Sequence, residues 1–356
     1  MRQSINLMVG TDRSGQGGIA TVVSIYQQEG LLHKHNFRYI ASHSSRNTTK
    51  LQALLTHLRC LATIIAYGLR FQIGLIHVHM ASRGSYMRKA QVVRLGKWLG
   101  ARIIIHLHGA EFRKFYANEC TPAKQQAIRN TFNLADKVIV LSTQWLSWME
   151  AIVDEPAKVT VVHNSVPKMH LETIPSSTSN ILFLGRLSKR KGTEDLLRAF
   201  ASIAPQFPDS RLVLGGDGDI EVYKDLAKRL EIYDQVLFLG WISGQEKNDW
   251  MAKSSIYVLP SYNEGFPMGI LEAMSAKIPV VSSFAGGIPD AITSDKEGLL
   301  IEAGDTQALA EALSSLLASD ALRDTISQQA YKKYCSNFSP MVIMPKLERI
   351  YKELLT

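Results

Sequence analysis

Short runs of aliphatic and β-branched residues recur along the chain, separated by longer segments of helical period. In the first half these runs are 4–9, 37–42, 74–80, 101–108, 137–142 and 158–163. In the second they are 180–185, 211–216, 235–240, 255–260, 278–283 and 298–302. Each is bounded by turn residues and too short for a helix, so each predicts a buried strand. Between them, 193–204, 220–233 and 306–319 place apolar residues at the i, i+3, i+4 spacing of a helix packed on one face. Strand–helix alternation predicts parallel sheets covered on both faces. Because it occurs twice in 356 residues, the expected fold is α/β, with two doubly wound Rossmann-like domains facing a central cleft.

The boundary falls in 164–180, where Pro167, Pro175 and a Ser/Thr cluster interrupt the periodicity. Domain ranges of 1–165 and 166–339 follow, with 340–356 as a C-terminal helix able to pack back on the first domain. Charge divides unevenly across this boundary. Residues 1–165 hold 20 Lys+Arg against 8 Asp+Glu, whereas 166–356 hold 20 against 24. A basic first domain fits an anionic partner. Three widely spaced cysteines, Cys60, Cys120 and Cys335, form no disulfide framework or paired metal spacing and suit a reducing, cytosolic setting. The most apolar segment, 61–71, is bounded by Arg59 and broken by Arg70, so no membrane span is expected.

The run NEGFPMGILEAM, residues 263–274, carries two carboxylates in an apolar setting just after a strand. Pro267 suits the first helical position, which puts Glu264 in the loop and Glu272 more than a turn inside the helix. Glu264 alone could serve the positive helix end. Glu272 needs a partner in its apolar surroundings, and a ribose diol supplies two donors. The N–H groups of Met268 and Gly269 are oriented as helix starts are when they hold phosphate.

Glu264 and Glu272 form an E-x7-E arrangement, and the whole run from Pro260 to Ile292 resembles the donor-site signature of glycosyltransferase family 4, retaining enzymes of the two-domain GT-B type. The resemblance implies that Glu264 binds donor-sugar hydroxyls and that Gly265, Phe266, Pro267, Met268, Gly269 and Glu272 hold the nucleotide. It also implies that Arg186 and Lys191, in FLGRLSKRKG, contact the donor diphosphate; fixed cations stabilise charge that develops on a departing phosphate. His108, in HLHGAEF, is implied beside the donor sugar. Two departures are visible. Ser165 stands where the family has glycine, and so does Lys277, where a helix favours a left-handed cap.

In the first domain Gly15, Gly17 and Ala20 fit G-x-G-x-x-A, which raises a dinucleotide cofactor, but 40–43 offer no acid for its ribose. The family reading lets backbone at Gly17 and Gly18 approach donor or acceptor. His77/His79 and His106/His108 form two H-x-H pairs whose members share a strand face and suggest zinc. They lack a completing carboxylate or cysteine, so no metal is expected. Asp217-Gly218-Asp219 imitates a cation-binding D-x-D, yet reads as a turn. The resemblance likewise implies no metal and no other cofactor, the nucleotide sugar being substrate.

The segment 50–71 mixes Arg59 and Arg70 with a broad apolar face and is followed by Arg83, Arg88, Lys89, Arg94 and Lys97. Such a surface suits an anionic membrane, or else an ordinary core helix beside a positive acceptor cleft. No nucleic-acid module is present. The expectation is a metal-independent, retaining glycosyltransferase of bacterial surface-polysaccharide synthesis, peripheral to the inner face of the cytoplasmic membrane and acting on a lipid-linked or saccharide acceptor. A sugar-nucleotide epimerase or hydrolase, or a non-catalytic nucleotide-sugar-binding protein, keeps the same fold.

Overall fold

The computed structural model of the chain describes residues 3–13, 15, 17–43, 49–169 and 179–356. Of the boundary segment 164–180, residues 170–178 lie outside those described. The twelve apolar runs form two six-stranded sheets. The first contains β1 (Ser4–Thr11), β2 (Phe37–His43), β3 (Gln72–Met80), β4 (Arg102–Leu107), β5 (Lys137–Val140) and β6 (Val159–Val161). The second contains β7 (Asn180–Leu184), β8 (Arg211–Gly215), β9 (Val236–Gly240), β10 (Ile256–Leu259), β11 (Val280–Ser283) and β12 (Leu299–Ile301). All neighbouring strands run parallel. Burial explains the uniformly apolar strands: β10 and β11 are buried at every position, and β3 from Leu75 to Met80, because helices cover both faces.

Contacts divide the chain into two compact units, Met1–Ser165 with Pro340–Thr356, and Val166–Ser339. Strand order in the first is β2-β1-β3-β4-β5-β6 and in the second β12-β11-β10-β7-β8-β9. In each, the chain builds to one side of its first strand and later crosses to the other. The loops leaving the two strands at that reversal diverge and open a crevice at their carboxyl ends. The reversals fall between β1 and β3, and between β7 and β10.

Two local expectations are corrected. The helix expected over 220–233 stops at Arg229, because Glu231 takes φ +58° and turns the chain into a 3₁₀ segment before β9. Pro267 caps the following helix, which begins at Met268, so it lies one position earlier than expected. The helix Lys50–Arg70 does qualify as a membrane span by length and composition, with a mean hydropathy of 1.2. It is nevertheless the crossover between β2 and β3, where His57, Cys60 and Ile64 face the sheet. Lys277 adopts the left-handed conformation at φ +57° and lays its ammonium over the Tyr331 ring, 4.9 Å from the centroid.

The C-terminal helix Pro340–Leu355 packs on β3 of the first unit. Tyr351 is fully buried there, its Oη 2.8 Å from His77 Nδ1 and its ring 5.0 Å from that of Phe37. This side chain fastens the last helix by packing first and by one hydrogen bond second. Tyr351→Phe should therefore cost about 1 kcal/mol of unfolding free energy, and Tyr351→Ala about 3–5 kcal/mol. Denaturant titration checks both; equal losses would mean that the ring is not anchored.

Candidate functional site

At the β7/β10 reversal, the loop 185–192 and the loop 260–267 run side by side. Tyr262 N donates to Arg190 O (2.9 Å), and Arg190 Nη1 donates to Asn263 O (2.9 Å). Gly192, at φ +70°, has no room for a Cβ because the Pro260 carbonyl fills the place. From the loop after β11, Gly286 at φ +57° lies equally close to the Glu264 carbonyl, and Gly287 N donates to Gly265 O (2.9 Å). Backbone thus holds Glu264 from two sides.

The result is a buried ion pair: Lys191 Nζ lies 2.5 Å from Glu264 Oε1, with 14% and 8% of the two side chains exposed. Each ion supplies the counter-charge that the other needs in an apolar setting. A second pair joins Glu272 Oε1 to Lys247 Nζ at 2.5 Å. The inference that Glu272 needs a partner holds, but a lysine of the helix Gly244–Ala252 already meets that need. Lys247 escaped the sequence reading because nothing in QEKNDW separates it from a solvated helix lysine.

Between the carboxylates lies Tyr257 of β10, fully buried beneath Gly269. A side chain at Gly269 would collide with the Tyr257 hydroxyl. Burial, then the Glu272 and Glu264 charges, hold that phenol well above its usual range, so it stays neutral. Phe266 turns inward onto Phe338, with ring centroids 5.3 Å apart, so only its backbone can serve a ligand. Arg186 is exposed, with Nη1 3.7 Å from Asp217 Oδ2; such a pair is loose and leaves the guanidinium able to swing. Asp217-Gly218-Asp219 is a turn bound to the neighbouring loop: Leu187 N donates to Asp217 O (2.6 Å) and Asp219 N to Leu187 O (3.1 Å).

In the first unit, Gly17 takes φ +128°, which L side chains rarely adopt, and opens the helix Gly18–Gln28; an added Cβ at Gly17 or Gly18 would meet nothing within 4 Å. The two H-x-H pairs come together on β3 and at the end of β4, His106 within the strand and His108 just past it. His79 Nδ1 lies 2.8 Å from His108 Nε2, and His77 Nε2 lies 3.2 Å from His106 Nδ1. Burial, then the charges of neighbouring groups, push His77 and His108 down to about 3 and hold His79 and His106 well below the usual imidazole range. All four are neutral at pH 7. His77, His79 and His106 offer ring nitrogens within 4.8 Å of one another, a spacing compatible with metal ligation, although inter-ring hydrogen bonds and stacking use the same rings. His79 also fixes the edge of His108, a contact the spacing of the pairs could have suggested.

Two family models match consecutive parts of the chain: "Glycosyltransferase Family 4" over residues 17–168 and "Glycosyl transferases group 1" over 170–333. N-acetyl-alpha-D-glucosaminyl L-malate synthase of Bacillus anthracis is 26% identical over 298 residues, 80% of this chain and 76% of the relative. D-inositol 3-phosphate glycosyltransferase of Corynebacterium aurimucosum is 33% identical over 190 residues, but the match spans only 51% of this chain and 45% of that protein. Among solved structures, sucrose-phosphate synthase from Thermosynechococcus elongatus superimposes with a TM-score of 0.81 at 19% identity, covering 99% of both chains. Anabaena HepE in complex with UDP and glucose gives 0.77 at 18% identity, covering 99% of this chain and 100% of that one. These likenesses show the GT-B fold.

The clamp on Glu264 predicts a contrast between two glycines. Gly286→Ala should destabilise the protein by at least about 1 kcal/mol, since it combines positive φ with a backbone collision. Gly18→Ala should stay within about 0.5 kcal/mol of the parent. Thermal unfolding of both variants tests this; a silent Gly286→Ala would remove the clamp.

Proposed function

The chain belongs to glycosyltransferase family 4, and from that membership we propose a retaining enzyme that moves a sugar from a UDP- or GDP-sugar to a lipid-linked or saccharide acceptor in surface-polysaccharide assembly. The observation that carries the reading is the pairing of Lys191 with Glu264 at the carboxyl ends of β7 and β10, where an α/β sheet holds its ligand, and of Lys247 with Glu272 on the helices that follow β9 and β10. In this reading donor binding redistributes both pairs. Glu264 turns its carboxylate to sugar hydroxyls while Lys191 turns to the diphosphate. Glu272 accepts from the ribose while Lys247 keeps its charge balanced. Arg186 leaves Asp217 for the outer phosphate, and the N–H groups of Met268 and Gly269 face the same anion. His108, Gly17 and Gly18 are the corresponding ligand-facing groups of the first unit.

The reaction breaks the bond between the anomeric carbon and the diphosphate and forms one to the acceptor oxygen on the same face. The acceptor proton passes to the departing phosphate oxygen. Charge grows on the diphosphate as the bond lengthens, and fixed cations at Arg186 and Lys191 lower the barrier by meeting it. We propose this sequence without a metal, because these groups supply the balancing charge.

We also propose that the first unit rests on the inner face of the cytoplasmic membrane. On the helix Lys50–Arg70, Leu51, Leu54, Leu55, Leu58, Ile65 and Leu69 are exposed along one stripe, Arg59 and Arg70 flank it, and the helix contains no acid. Exposed apolar residues beside cations fit an anionic lipid surface.

Three outcomes are expected. A panel of nucleoside diphosphates, with and without magnesium, should yield one base that raises the unfolding temperature without metal. Glu272→Ala should weaken binding of that nucleotide about 10- to 100-fold, the scale of a hydrogen bond to a charged group, and calorimetry reads it directly. Replacing Leu51, Leu54 and Leu58 together by serine should release the protein from vesicles containing anionic lipid. No binding by any nucleotide, or unaltered vesicle binding, would overturn the respective reading.

A further inference from the structure

Lys89 lies in the helix Gly84–Trp98 that follows β3, and its side chain is wholly buried. A lysine normally threads its stem through apolar surroundings and keeps the ammonium in water. This one does not reach solvent, and no ion pair involves it among the described residues. An ammonium has three hydrogens to donate, and the contact made here is to one imidazole, His43 Nδ1 at 3.2 Å. His43 closes β2, and its Nε2 lies 3.4 Å from Thr11 Oγ1 at the end of β1. Arg88, half-buried beside Lys89, has its Nε without a hydrogen-bond partner.

The groups around this corner are Arg88 on the same helix, His57 and Cys60 from the helix Lys50–Arg70, His43 from β2, and His79 and His108 from the β3 and β4 side. The acid nearest in the chain is Asp12, just past β1, whose N donates to the His43 carbonyl (2.8 Å) and whose charge acts on Tyr39 rather than on Lys89. Burial and Arg88 push Lys89 down to about 7, and burial with Lys89 and Arg88 pushes His43 down to about 3. A buried cation in such company is stabilised by an anion beside it, and no carboxylate pairs with Lys89 among the described residues. The corner sits at the carboxyl edge of β1 and β2, next to the reversal of strand order, where open α/β sheets hold their ligands.

We propose that Lys89, with His43 and Arg88, forms a subsite for an anionic oxygen group, a phosphate or carboxylate, carried by the acceptor. The proposal rests on the transferase reading and narrows its acceptor to an anionic class. Lys89 supplies the charge and two hydrogens that meet no acceptor among the described residues. Arg88 supplies a further donor, and neutral His43 orients the ammonium.

Sulfate is the probe, because it remains divalent between pH 6 and 9, and calorimetric titration of the full chain is the measurement. The nucleoside diphosphate selected by the panel is kept at saturation, so that it occupies the phosphate-binding cations proposed for the second unit and the sulfate read is bound at this subsite. Lys89→Met should lose about tenfold or more in affinity, as expected for one charged hydrogen-bond partner. Should Lys89→Met fold poorly, Arg88→Gln, at a half-buried position, should still weaken sulfate severalfold. Parent affinity should be full below pH 7 and fall about tenfold per unit above it, because the ammonium is the binding form.

Malate, glycerol 1-phosphate and vesicles containing phosphatidic acid then compete with sulfate. Competition by the soluble anions points to a soluble acceptor, and competition by vesicles alone points to a lipid headgroup; either supports the subsite. Undiminished sulfate binding in Lys89→Met and Arg88→Gln, or none in the parent, would overturn it. If nucleoside diphosphates bind in the same proteins, the donor reading survives that failure.

Discussion

The second unit is organised by the cost of holding charge in apolar surroundings. Glu264 and Glu272 lie among buried aliphatic side chains, and neither carboxylate is stable there alone. Lys191 and Lys247 resolve this within the chain, and the glycines nearby exist to let backbone and side chains come close enough to do so. Gly192, Gly269 and Gly286 each occupy a place where a Cβ would collide with Pro260, Tyr257 or Glu264. In the proposed function such a site is preorganised but exchangeable, a ligand bearing both hydroxyls and phosphates taking the place of either ion in a pair.

Topology makes the pairing possible. Lys191 follows β7 and Glu264 follows β10, strands separated by about seventy residues but adjacent in the sheet. The reversal of strand order between them lets both loops turn toward one crevice. The first unit repeats the device between β1 and β3, with neutral imidazoles and a buried ammonium in place of ion pairs. One architecture thus carries two chemically different clusters at its reversals: carboxylates balanced by lysines in one unit, and imidazoles with a buried lysine in the other.

Most of the fold was legible in the sequence because it is written in local terms. Continuous apolar runs and helical periodicity located all twelve strands, and the order of elements implied parallel sheets. What escaped was long-range or backbone-driven. Lys247 pairs with Glu272 across two elements, and Tyr351 meets His77 across 274 residues; neither leaves a local signal. The early end of the helix at Arg229 depends on Glu231 turning left-handed, a conformation glutamate does not advertise. The histidine pairs were visible by spacing, but their joining into hydrogen-bonded couples depends on the register that sets His79 opposite His106.

The proposed site requires Lys191 and Glu264 to act as one unit rather than as two independent contacts. A double-mutant cycle on transfer, with Lys191→Met, Glu264→Gln and the double variant, measures this directly. Each single change should lower kcat/KM about 10²-fold or more, and the double should be little worse than the poorer single. Losses that multiply in the double variant would show that the two residues serve separate steps and would contradict the proposed site.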